Sequence, residues 1–300
     1  MSAPAIETRG LTKFYGRNRG IEDLDLRVER GEVFGYLGPN GAGKTTTIRL
    51  LLNLIRPTRG SISVVGLDAR GQSLDVRRRT GYLPGELKLP DRSSARGFVH
   101  HLARLRGGVD DGSIAGLADR IDLDLDRRIG DLSKGNKQKV GLVAAFMHDP
   151  ELLILDEPTS GLDPFRQRDV LELIRERAAA GRTVFLSSHE LDQVEHVAGR
   201  VGIVRDGRLI AVEAMADLKE RAIHRVEVRF EHPLEGLDRL RDVPGVREVS
   251  TDGAVIRLDV EGSMDALVKE LAKLPVHALT SETPELEEIF LSFYGGPDAG

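Results

Sequence analysis

Residues 38–46, GPNGAGKTT, constrain the fold of this chain more than any other stretch. Gly38 to Thr45 completes the pattern G-x-x-x-x-G-K-[ST], which works only between a strand that delivers the loop and a helix that leaves it. Both neighbours fit. The run GEVFGYLG (31–38) is apolar and ends in glycine, and TTTIRLLLNLI (45–55) has helical length, with Pro57 and Gly60 as breakers. Gly41 and Gly43 let backbone N–H groups curl around an anion with no Cβ in the way, and the helix start adds its positive end. Lys44 places a point charge at the β- and γ-phosphates of a nucleotide, and Thr45 offers a hydroxyl to Mg²⁺. The candidate phosphate cradle is therefore Gly38, Pro39, Asn40, Gly41, Ala42, Gly43, Lys44, Thr45 and Thr46.

A phosphate cradle needs a metal-holding acid and a group that activates water. The run LLILDEPTSGLD (152–163) is apolar up to two acids, the mark of a buried strand that ends in a polar site. Adjacent strand residues point to opposite faces, so the two acids need not share a task. Asp156 suits Mg²⁺, and Glu157 suits a water that attacks the γ-phosphate. About ninety residues after the cradle, LSKGNKQK (132–139) is a second helix start of a phosphate-facing kind, with Ser133 and Gly135.

Apolar runs alternate with helical ones through the first two thirds of the chain. SISVVG (61–66), ELLILDEP (151–158) and TVFLSSH (183–189) read as strands. PFRQRDVLELIRERAAAG (164–181) reads as a helix stopped by Gly181, and RVGIVRDGRLIAV (200–212) as a hairpin around Asp206-Gly207. This rhythm predicts a largely parallel sheet with helices on both faces. Residues 91 to about 147 break it with helical patterns and no strand, as an inserted helical subdomain would. After about residue 220 the order β-α-β-β-α-β matches a ferredoxin-like unit. TPELEEIFLSFYG (283–295) closes the chain as an amphipathic helix capped by Thr283, with Pro284 at its first position. The expected division is 1–219 and 220–300.

Composition removes several classes. There is no cysteine, hence no disulfide and no thiolate metal site. Net charge is −5, against a general nucleic-acid binder. The first ten residues, MSAPAIETRG, show no secretory signal pattern. No apolar run approaches the roughly 18 residues of a membrane span; the richest, IRLLLNLI (48–55), is a buried-helix candidate. His100 and His101 lack metal-ligand spacing and read as surface or packing residues.

Taken in order, the cradle, the helical insert, LSKGN, LLILDEP, SGLD and SSH resemble the nucleotide-binding subunit of an ABC transporter over roughly residues 5 to 215. The resemblance implies a P-loop NTPase cassette of α/β class, with a RecA-like core sheet and an inserted helical subdomain, followed here by a small α+β domain. It implies ATP and Mg²⁺ as ligands, and a head-to-tail dimer in which LSKGN of one chain completes the ATP site of the other. Ser133 and Gly135 would face the partner's nucleotide, and Asp163 the opposing cassette. Tyr15, in LTKFYG, matches the aromatic that stacks on adenine, and His189 the switch histidine at the γ-phosphate. Glu157, His189 and Lys44 are then the catalytic candidates. A separate integral membrane permease is implied as partner, with this chain in the cytoplasm at the inner face of the plasma membrane. No nucleic-acid partner is expected.

Three departures stand out. Lys134 and Asn136 occupy positions where the common signature LSGGQ has glycine and glutamine. GYLPGELKLP (81–90) lacks the usual glutamine near Gly85, and Glu86 is the candidate replacement, as a sensor of Mg²⁺ and the attacking water. The tail adds about 80 residues, and its end, like the stretch around LSKGN, is similar to cassettes of the ABC-2 export group, whose members include antibiotic and drug exporters. An exporter ATPase is thus the leading expectation. The alternatives are an importer ATPase and a soluble ABC ATPase acting on ribosomes or DNA.

Overall fold

The computed structural model describes residues 3–220, 223–233 and 237–282. Two compact units divide between Val212 and Glu213, near the end of a strand and ahead of the expected 219/220.

The first unit opens with β1 (Ile6–Tyr15) and β2 (Asn18–Val28), paired antiparallel. β3 (Val33–Leu37), α1 (Lys44–Leu51), β4 (Arg59–Val64), β5 (Leu67–Asp68), α2 (Ser73–Arg78) and β6 (Thr80–Leu83) follow. The insert holds α3 (Ala95–Leu105), α4 (Asp111–Arg120) and α5 (Lys134–Phe146). Next come β7 (Leu152–Asp156), α6 (Pro164–Ala179), β8 (Thr183–Ser188), α7 (Leu191–Glu195), β9 (Arg200–Arg205) and β10 (Arg208–Ala214).

Six strands form the main sheet in the order β10-β9-β3-β8-β7-β6, and the pairs from β9 to β6 are all parallel. β3 and β7 are buried at every position, which is why both read as unbroken apolar runs. SISVVG belongs elsewhere. As β4 it joins a separate antiparallel sheet, β2-β1-β4-β5, whose strands alternate between buried and exposed residues. α1 lies in the core between the two sheets, where Ile48, Leu50 and Leu51 meet Ile21, Leu24, Tyr36 and Ile154. Phe34 stacks on Phe185 at 6.0 Å between centroids. The helix ends earlier than its apolar run: Leu51 is its last residue, Asn53 turns left-handed at φ 52° and Leu54 is exposed.

The insert stands as a helical layer. Ser94 caps α3 by accepting from Gly97 N–H, and Asp110 caps α4 by accepting from Ser113 N–H. Both helices pack on α5, and their buried residues, Val99 and Ala103, Ile114 and Leu117, recur at helical spacing.

After the last two residues of β10, the second unit continues with α8 (Met215–Glu220) and β11 (Ile223–Phe230). A 3₁₀ turn (Leu237–Asp242), β12 (Val246–Asp252), β13 (Val255–Glu261), α9 (Asp265–Leu271) and β14 (Val276–Glu282) complete its described part. The antiparallel order β12-β13-β11-β14 is that of a split β-α-β sheet. The stretch expected as its first helix, 233–242, is a 3₁₀ turn over its described part. Val226, Val228, Ile256, Leu258 and Leu267 form its core. The helix expected at 283–295 lies outside the described residues.

Candidate active site

Three parallel strands end side by side and set the site's geometry. β3 delivers the loop 38–43, β7 delivers Asp156 and Glu157, and β8, between them, delivers Ser187. Gly43 takes φ 106°, and a Cβ there would stand 2.7 Å from Ile21 Cγ2 and 2.9 Å from the Gly20 carbonyl oxygen. Only glycine lets the loop turn into α1 while lying this close to β2. The hairpin turn at Gly207 clamps the arrangement: its N–H donates to Ala42 O at 3.0 Å, and its O accepts from Glu22 N–H at 2.8 Å.

Lys44 is buried, and its Nζ donates to Gly38 O at 2.6 Å and lies 3.6 Å from Glu157 Oε1. Burial pushes its pKa down, while the Glu157 and Asp156 carboxylates hold it up. A cation folded onto its own loop in this way is ready to turn toward phosphate oxygens. Thr45 Oγ1 donates to Asp156 Oδ2 at 2.9 Å, and Ser187 Oγ donates to Asp156 Oδ1. His189 Nδ1 is 2.8 Å from Glu157 Oε2. Glu157 itself has φ 52°, a strained value for a non-glycine residue and a common mark of functional positions.

Lys44, Thr45, Asp156 and Glu157 line a cavity of about 350 Å³ together with Asn40 and Glu86 among others. Pro39, Gly41 and Thr46 also line it, whereas Gly38 and Ala42 support the loop from behind. Gly85 lies against Asp156, so that a Cβ there would be 3.2 Å from the carboxylate carbon. Among the described residues no group of three or more His, Cys, Asp or Glu could hold a metal ion alone. The oxygen donors Thr45 and Asp156 instead suit a hard cation that takes its remaining ligands from phosphates and water.

Beyond Gly38, Ala42 and Gly43 of the loop, five expected residues stand outside the cavity's lining: His189, which touches Glu157, and Ser133, Gly135, Asp163 and Tyr15. Ser133 caps α5, its Oγ accepting from Asn136 N–H at 3.2 Å, and Gly135 sits in the first turn of that helix. Asp163 caps α6 by accepting from Phe165 N–H and Arg166 N–H, each at 3.1 Å. Tyr15 is 45% exposed, carries Lys13 Nζ 5.1 Å from its ring centroid, and lies beside Gly20, which touches Gly43.

The structure adds residues the motifs do not name. Arg49, just past the first turn of α1, and Tyr82, at the end of β6, line the cavity. Burial, and then the Asp156 carboxylate, push the Tyr82 phenol up to about 12. Ser187 is legible only as the first serine of SSH. Gln138 reaches from α5 to the backbone after Asp156, donating to Glu157 O at 3.0 Å. A polar residue in a helical run gives no sequence signal of such a contact.

The family model described as "ABC transporter" matches residues 21–160, and one described as "ATP-binding protein DrrA1-3-like, C-terminal domain" matches residues 214–294. The chain is 36% identical to the "Daunorubicin resistance ATP-binding protein DrrA3" of Streptomyces coeruleorubidus, over 98% of this chain and 97% of that one. It belongs to the ABC transporter family. Another relative within this ABC family is the "Bacitracin transport ATP-binding protein BcrA" of Bacillus licheniformis, 32% identical over 98% of this chain and 99% of its own. A solved ABC structure, "Structure of ATP binding subunit of ABC transporter", is 32% identical, with a TM-score of 0.66 over 72% of this chain and 92% of its own. The fold is thus an ABC ATPase cassette with an appended C-terminal β domain, and the two relatives are named as ATP-binding proteins of daunorubicin resistance and of bacitracin transport.

Proposed function

We propose that this chain is the ATP-hydrolysing motor subunit of an ABC-2 type export system, working as a head-to-tail dimer on a separate membrane permease. One observation carries the reading. Lys44, Thr45, Asp156 and Glu157 converge on one cavity, while Ser133, Gly135 and Asp163 stand outside its lining. A second chain would bring those groups to the open side of the nucleotide, so the site is complete only between two copies.

In this reading the loop 38–46 binds the phosphates of ATP and Tyr15 stacks on adenine. Thr45 and Asp156 would hold Mg²⁺, which when bound would supply charge neutralisation for the phosphates. Glu157 orients and deprotonates the attacking water, and His189 holds both the Glu157 carboxylate and the γ-phosphate. Lys44 and the partner's signature helix stabilise charge on the transferring group. Glu86 enters from the side of β6 as the sensor of metal and water. ATP joins two chains, hydrolysis separates them, and the permease follows.

The permease reading draws on three further facts. No helix among the described residues is long and apolar enough to cross a membrane. Both named relatives are ATP-binding proteins of resistance or transport. A cavity of about 910 Å³ at the insert is lined by Arg77, Arg78, Arg104 and Arg106 together with the exposed Leu74 and Leu105. It suits a segment of a partner that carries acidic and apolar groups. The cargo class we infer is an antibiotic or drug, and the chain's place is the cytoplasmic face of the membrane.

The test is purification of the tagged chain from gently solubilised native membranes. We expect a polytopic membrane protein to copurify and Mg·ATP hydrolysis to accompany the complex. An extracytoplasmic binding protein in the complex would favour import. Ribosomal or DNA-repair proteins without a membrane partner would overturn the transport reading and leave the ATPase intact.

A further inference from the structure

Gln138 is the fifth residue of α5 and is 5% exposed. A buried amide needs partners, and its Nε2 finds two in succession: Glu157 O at 3.0 Å and Pro158 O at 3.2 Å. On the other side, the Glu157 N–H donates to Ser187 O at 3.1 Å. The left-handed backbone of Glu157 is therefore held from β8 at its nitrogen and from α5 at its carbonyl. Backbone orientation at this residue decides where its carboxylate points, here onto His189 Nδ1 at 2.8 Å.

The start of the same helix is fitted to the same segment. A Cβ on Gly135 would lie 2.5 Å from Gly161 O, and the aliphatic stem of Lys134 lies over Gly161. The first two turns of α5 thus meet the segment 157–161 at three places, and the deepest of these is the pair of hydrogen bonds at the catalytic carboxylate. A small shift of the helix along its axis would lengthen both bonds and release the strained backbone that they hold.

We propose that Gln138 is a positioning residue that links the seating of α5 on the partner chain's nucleotide to the aim of Glu157 in its own chain. The inference rests on the dimer reading above. α5 caps one ATP while Glu157 acts on the other, so each base would be set by the opposite nucleotide and the two sites would fire as a pair.

The test uses the full chain carrying Gln138→Met, which keeps length and volume and removes the donor, with Glu157→Gln as control. We expect monomer affinity for ATP within about twofold of the parent chain and turnover lower by about tenfold or more. We also expect Q138M to accumulate the dimer in Mg·ATP without any change at Glu157, which a purely stabilising side chain would not cause. Turnover within about twofold of the parent overturns the proposal. So does a loss of turnover that accompanies loss of the dimer, because Gln138 would then serve assembly rather than Glu157. Gln138→Asn is the second variant, too short to reach either carbonyl. If neither variant folds, Gln138 holds the fold and the proposal falls. Failure of the Glu157→Gln control to dimerise sinks the dimer reading itself.

Discussion

At the scale of single residues, the site is a set of short contacts between groups that are far apart in the chain. Asp156 accepts from Thr45 and Ser187, and Glu157 accepts from His189, so both carboxylates are oriented before any ligand arrives. Glu86 is different, because it lines the cavity but takes its place from a loop. Changing Glu86 to alanine should lower ATP turnover by about three- to tenfold with the fold intact. Unchanged turnover, measured with the folded variant, would remove Glu86 from the reaction. That Lys44, Thr45, Asp156 and Glu157 meet at one cavity could be anticipated from two short motifs, whereas His189, which touches Glu157, was anticipated only through the family resemblance. Arg49, Tyr82 and Gln138 were not. Their places follow from how α1, β6 and α5 lie against the site, and no local spacing encodes that.

Elements differ in how far they could be read. β3, β7 and β8 are buried at every position and appear as unbroken apolar runs. The antiparallel sheet was harder: the alternation Ser61-Ile62-Ser63-Val64 marks a strand with one exposed face, but its partner β1 lies about fifty residues earlier in the chain. Helix ends carry two testable roles. Asp163 caps α6, so Asp163→Ala should cost about 1 kcal/mol of stability, whereas Asp163→Asn should not. If Asn restores stability in urea unfolding but not turnover, the carboxylate acts beyond the cap, as contact with an opposing cassette requires. The junction of α5 and β7 holds His148, whose imidazole is pushed down to about 4 by burial and by the Arg106 guanidinium. The folded state keeps this ring neutral, and the unfolded chain protonates it near its ordinary value of 6.5. Its contribution is therefore complete above that value and is lost as pH falls from about 6.5 toward 4, by on the order of 3 kcal/mol at most and less where solvent screens the ring. His148→Gln should flatten that part of the stability curve relative to the parent. Parallel curves for the two proteins would contradict a neutral buried His148.

On the scale of the whole molecule, the cassette carries two surfaces that its own fold leaves open: the nucleotide cavity and the arginine-lined cavity at the insert. The order of motifs along the chain made the cassette legible, and the β-α-β-β-α-β pattern anticipated the sheet order of the second unit. The exact point of division between the units was not legible, because β10 and α8 follow one another without a break of glycine or proline. The central claim is that ATP completes its site between two copies of this chain. It is tested most directly by multi-angle light scattering of the Glu157→Gln protein with Mg²⁺ and ATP. The account requires a dimer with ATP, a monomer with ADP or without nucleotide, and loss of the dimer when Ser133 or Gly135 is replaced by a bulky residue. A protein that binds ATP and stays monomeric under all these conditions would contradict it.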